Sequence, residues 1–190
     1  MDTFILGVPW IHVIPALVSV LFSVLYLKSN KKTLKIIFGI LWLLFLPNTA
    51  YIFTDVSRIT LHWNSLNTLL RVFLSLQFIV LEIIGLGTFL LSFLPFEKII
   101  KNRSKLEKIF LIILFNFLVG FGMVLGRTGY VNSYLIFMEP LKVLSAIFNI
   151  ITSFNLLVLT IFYGLICDVV YFVFRSYLFK KQLKIGKGGD

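Results

Sequence analysis

The chain has 190 residues, of which 59% are hydrophobic and only 14% charged, and its formal net charge is +10. That balance leaves too little polar surface for a water-soluble domain, because apolar runs of about 18 residues or more read as membrane spans. Its positive charge would suggest nucleic acid in a soluble protein, but Lys and Arg gather in short segments between apolar runs, which points to membrane orientation and no nucleic-acid partner.

In chain order, the first apolar run covers about residues 4–27. It has no basic leading region and no small-residue cleavage site, so it reads as an uncleaved first span. The second covers about 36–53, the third about 69–93 and the fourth about 109–125, while the fifth begins near Ser153 and ends near Phe179. These runs predict an all-α, polytopic transmembrane helix bundle of about five spans. The length permits one bundle domain over 1–180, followed by a basic cytoplasmic tail over 181–190 that is expected to be disordered. The segment 141–152 reads as an interfacial or tilted helical lead-in on the outer side, with a re-entrant segment as the competing arrangement.

The basic residues orient these spans. Lys28, Lys31, Lys32 and Lys35 follow the first, and Lys98, Lys101, Arg103, Lys105 and Lys108 follow the third. Arg175, Lys180, Lys181, Lys184 and Lys187 follow the fifth, making fourteen of the 18 basic residues on one side. Only Arg58, Arg71, Arg127 and Lys142 fall on the other. Short basic loops stay in the cytoplasm, so the N-terminus is expected outside and the C-terminus inside.

Polar residues interrupt this pattern at chosen places. In LPNTAYIFTDVSR (46–58), Pro47 removes a backbone donor and should kink or restart the second span. Beyond it, Asn48, Tyr51, Asp55, Arg58 and His62 share one helical face, while Ile52, Val56, Ile59 and Trp63 form the opposite stripe. The result is an amphipathic continuation into the outer interface, with Asp55 and Arg58 placed to pair locally. A capped, solvated helix end accounts for the same residues without a site.

Within the spans, Glu82 lies near the middle of the third, three turns from Arg71 on the same face. Asn116, Gly120, Met123 and Arg127 share a face of the fourth, and Thr160, Gly164, Asp168, Tyr171 and Arg175 share a face of the fifth. Glu82, Asn116 and Asp168 therefore fall at comparable depths, where ionisable groups are costly and turn toward the bundle interior or a wet cavity. Two carboxyls with no base at their depth predict at least one protonated at neutral pH. Both a proton relay and structural glue fit that arrangement. Gly122 and Gly126 form a GxxxG and Gly85 with Gly87 lies beside Glu82, small residues that let membrane helices approach closely. The Gly122/Gly126 face would serve a homo- or hetero-oligomer.

A second outer segment, LGRTGYVNSYLIFMEP (125–140), carries Arg127, Asn132, Tyr134 and Glu139. If the two outer segments meet, Asn48, Tyr51, Asp55, Arg58, His62, Arg127 and Asn132 form a polar site with acid, base and anion-binding groups. Lone Cys167 offers no disulfide, CxxC or zinc spacing. His12 and His62 are too few for a zinc set, and no nucleotide-binding or hydrolase motif occurs. No metal and no cofactor is expected.

At these two segments the chain resembles the bacterial multipass membrane proteins catalogued as domain of unknown function 1361. The first signature of that family, LPN-x-x-Y-x-x-TD, is matched at Leu46, Pro47, Asn48, Tyr51, Thr54 and Asp55. The second is matched at Leu125, Gly126, Arg127, Asn132 and Ser133. Ala50 stands where the family tends to have Pro, Val131 and Tyr134 where it tends to have Trp, and Leu135 where it tends to have an acid. The resemblance implies a multipass protein of the bacterial cytoplasmic membrane and brings no activity with it. Membrane lipids are the expected surroundings. Three functions stay open: small-solute or proton binding and transport, an enzyme acting on a lipid or envelope substrate at the outer face, and an accessory subunit of a membrane complex.

Overall fold

A computed structural model describes residues 13–54, 67–128 and 135–185. Among these, every regular element is a helix: α1 (Val13–Lys28), α2 (Lys32–Thr54), α3 (Thr68–Ser92), α4 (Leu94–Ile99), α5 (Lys105–Thr128), α6 (Leu135–Met138), α7 (Pro140–Thr152) and α8 (Phe154–Ile185). Helix is what apolar sequence must form where no water can satisfy the backbone, since each N–H and C=O then bonds within its own segment. Among the described residues, four segments are long and apolar enough to cross a membrane: Lys32–Ile52, Thr68–Ile99, Lys105–Thr128 and Phe154–Arg175. The apolar helix α1 contributes 16 described residues ahead of them.

Local sequence sets the helix boundaries. The Asn67 side chain accepts a hydrogen bond from the Leu70 N–H at 2.9 Å and caps α3. Ser104 and Glu107 form a reciprocal capping box ahead of α5, each side chain accepting from the other's backbone N–H at 3.3 Å. Pro140 opens α7, and Ser153, in extended conformation, ends it before Phe154 starts α8. The segment 141–152 is thus a helix of its own.

Pro47 lies inside α2, and the helix continues through it to Thr54 instead of restarting. The proline removes one ladder bond, so the interruption is in the hydrogen bonding while the helix itself runs on. Neighbouring side chains bond to the backbone there. Asn48 Nδ2 donates to the Phe45 carbonyl at 3.1 Å, and Thr49 Oγ1 to the Leu46 carbonyl at 2.7 Å. Such side-chain bonding is one way membrane helices tolerate proline.

The chain forms two compact units, Met1–Lys101 and Asn102–Asp190. In the first, α1 and α2 make an antiparallel hairpin, with Tyr26 and Trp42 rings 6.0 Å apart. Helix α3 runs antiparallel to α2, because Trp42 Nε1 donates to the Ser92 carbonyl at 2.8 Å near one end. Ala16, Ile52 and Leu81 pack together near the other. Small buried residues line this meeting: Ala16, Ser19 and Ser23 on α1, and Gly85, Thr88 and Ser92 on α3. Lipid supplies no hydrophobic drive between helices, so close approach of small residues and interhelical hydrogen bonds hold them. Tyr51 and Ile52 are both buried, Ile52 against Ala16 and Leu81, while Val56, Ile59 and Trp63 lie outside the described residues.

In the second unit, α5 and α8 pair antiparallel, with Asn116 against Asp168 and Gly120 against Gly164. Leu135 of α6 and Val143 of α7 are buried against Leu125, Ala146 and Ile147. Burial is inverted relative to a soluble protein. Phe110 is 66% exposed and Leu118 61%, whereas Asn116 is 0% and Asp168 8% exposed. Apolar outside and polar inside is the pattern of a helix pair in lipid.

Candidate functional site

The polar site of the second unit is built around a crossing of two glycines. A Cβ placed on Gly120 would sit 2.7 Å from both the Gly164 nitrogen and the Thr160 carbonyl oxygen, and one on Gly164 would sit 3.1 Å from the Phe117 ring. Only hydrogen at these Cα atoms lets the backbones come so close. One turn along each helix, Asn116 Nδ2 donates to Asp168 Oδ1 at 2.7 Å. The close crossing brings these short side chains within reach of each other.

Asn116 Oδ1 is buried and has no hydrogen-bond partner among the described residues. Thr160, buried in the same interface, donates its hydroxyl to the Leu156 carbonyl of its own helix at 2.9 Å. Cys167 and Tyr171 are buried beside Asp168 in sequence. Toward the C-terminal end of α5, Arg127 Nη1 donates to the Tyr163 hydroxyl at 3.1 Å, and its guanidinium carbon lies 5.2 Å from the Tyr163 ring centroid. A cation in the last turn is also favoured by the helix dipole.

The two faces read from periodicity, Asn116–Gly120–Met123–Arg127 and Thr160–Gly164–Asp168–Tyr171, pack against each other. Tyr163 was not among the sequence candidates. Its signal was the need of Arg127 for a partner near a span end, but the abundance of aromatic residues hid which one would serve. The crossing of these two helices uses Gly120 with Gly164, separate from the Gly122/Gly126 face expected to serve an oligomer.

Other candidates belong to the first unit or fall outside the described residues. Glu82 is half-buried on α3, and its buried Oε1 has no hydrogen-bond partner among the described residues. Asn48 is half-buried and bonded to its own helix, and Tyr51 is buried. Asp55, Arg58, His62 and Asn132 lie outside the described residues. No group of three or more His, Cys, Asp or Glu side chains able to hold a metal occurs among the described residues.

Membrane-length helices with polar groups turned inward define an integral membrane protein of the all-helical, polytopic class. Within that class, residues 10–170 match the model of the family described as protein of unknown function (DUF1361), and the chain belongs to that family. No curated protein and no solved structure matches it.

Proposed function

We propose that this protein is a small proton-binding bundle of transport type in the bacterial cytoplasmic membrane, with Asp168 as the proton-carrying group. The observation that supports it is the fully buried Asn116, which donates to Asp168 at 2.7 Å while its own carbonyl oxygen stays unpartnered among the described residues. An amide is a donor at one end and an acceptor at the other. As drawn, the Asn116 N–H satisfies an ionised Asp168. When Asp168 takes up a proton, its O–H donates to Asn116 Oδ1 after a half-turn of the amide. The pair therefore has a hydrogen-bonded arrangement for each protonation state, which suits a group that gains and loses a proton inside a membrane.

The test is proton flux into proteoliposomes carrying an internal pH dye under an imposed pH gradient. The wild-type chain should dissipate the gradient faster than protein-free vesicles. Asp168→Asn, which keeps shape and hydrogen bonding but cannot ionise, should abolish the difference with unfolding unchanged. A wild-type rate equal to that of empty vesicles refutes the proposal, as does full flux in the Asn variant.

A further inference from the structure

One end of the first unit carries an unbalanced charge. Lys28, Lys31, Lys32 and Lys35 lie where α1 turns into α2, and Lys98 and Lys101 lie on α4 and just after it. Ser23 Oγ donates to the Leu91 carbonyl at 3.4 Å and Trp42 Nε1 to that of Ser92 at 2.8 Å, so α3 points its C-terminal end toward this turn and ends beside the hairpin short of it. Helix α4 then packs on α1. All six lysines are exposed and none makes an ion pair among the described residues. Glu97 is the one acidic residue at this end among those described.

Folding gains little from these charges. Lys32 and Lys35 occupy the first turn of α2, which has no acidic residue, and cations there oppose the helix dipole. Lys35 Nζ rests 5.2 Å from the Tyr26 ring centroid, against the side of the hairpin. Immediately along α2, Ile36, Ile37, Ile40 and Leu43 are exposed, so an apolar strip begins where the lysines stop.

We infer that this end of the first unit is a binding site for an anionic phospholipid. The lysines take the charged headgroup, and the acyl chains lie along Ile36, Ile40 and Leu43. A free anion would use the lysines and leave the apolar strip unused. A zwitterionic lipid would use the strip but bring no net charge to the lysines. Juxtamembrane lysine clusters attract anionic headgroups within a Debye length.

Delipidated full-length protein in a neutral detergent provides the test, with retained lipid counted by native mass spectrometry. Phosphatidylglycerol and phosphatidylcholine are supplied together in equal amounts, and inorganic phosphate is added in a separate arm. The wild-type chain should retain phosphatidylglycerol in preference, and the preference should shrink as salt rises. Lys31→Gln/Lys35→Gln/Lys98→Gln/Lys101→Gln should lose about tenfold or more of it, while the corresponding four-Arg variant keeps it. Equal retention of the two lipids overturns the inference. So does a preference unchanged in the Gln variant, or one erased by millimolar phosphate at constant ionic strength, which would mark a free-anion site. If the Gln variant does not fold, the salt series and the Arg variant decide: no salt dependence, or loss of preference with Arg, refutes the lipid site.

Discussion

Asn116 and Asp168 are two short side chains on different helices, and neither reaches the other unless the backbones are close. Their 2.7 Å bond is thus a readout of the glycine crossing as well as a polar contact. Hydrogen bonds between membrane helices average about 0.6 kcal/mol and reach about 1.7 kcal/mol, because the separated helices find other partners in the membrane. A double-mutant cycle with Asn116→Ala and Asp168→Ala, followed by reversible unfolding in mixed micelles, should give a coupling energy in that range. A coupling indistinguishable from zero would show that the two side chains act independently. Helical spacing made both residues legible in the sequence, since a polar residue amid apolar ones stands out and its face can be counted. The partner was not legible, because Glu82 and Asp168 are equally plausible acceptors for Asn116 until the packing of α5 on α8 is known. Tyr163 was lost for the same reason.

At the scale of the element, a GxxxG is easily noticed, whereas the residues that let α5 and α8 touch are one glycine from each helix, Gly120 and Gly164, in the interface where Asn116 meets Asp168. A motif search within one helix cannot see that pairing. Gly120→Ala should drive its new Cβ into backbone, which cannot rotate away as a flexible side chain can. The expected cost is at least about 1–3 kcal/mol, the range for overpacking. Gly87→Ala is the matched control, since nothing lies within 4 Å of a Cβ there. Thermal unfolding in detergent should separate the two variants, and equal midpoints would mean the crossing relaxes freely. Helix ends were more readable than helix contacts. The break near Ser153 follows from an apolar stretch too long for one span, and Pro47 was visible at once. The continuity of α2 through Pro47 was not, because it depends on how nearby side chains and packed neighbours accommodate the lost ladder bond.

At the scale of the molecule, charge placement carries what packing cannot: the direction in which the helices cross. Within the first unit, parallel α1 and α3 with antiparallel α2 bring the lysines of the α1–α2 turn and of α4 to one end. Within the second, antiparallel α5 and α8 bring Lys105 and Lys108 to the end where α8 continues past Arg175. The sequence pattern made this asymmetry countable before any fold was known, although grouping into two units depends on contacts that no local pattern encodes. The positive-inside rule assigns both basic ends to the cytoplasm. Single cysteines can test that assignment, because native Cys167 is fully buried and should stay unlabelled by a membrane-impermeant maleimide. Ser29→Cys, in the lysine turn, and Asn102→Cys, after α4, should react in inverted vesicles and not in intact cells. Thr68→Cys, at the start of α3, should react in cells and not in inverted vesicles. Labelling of Ser29→Cys and Thr68→Cys from the same side would require an even number of crossings between them and would refute α2 as a span. Reversal of all three would keep the spans but turn the lysine end of the first unit outward, away from the cytoplasmic leaflet where anionic headgroups give the stronger surface potential.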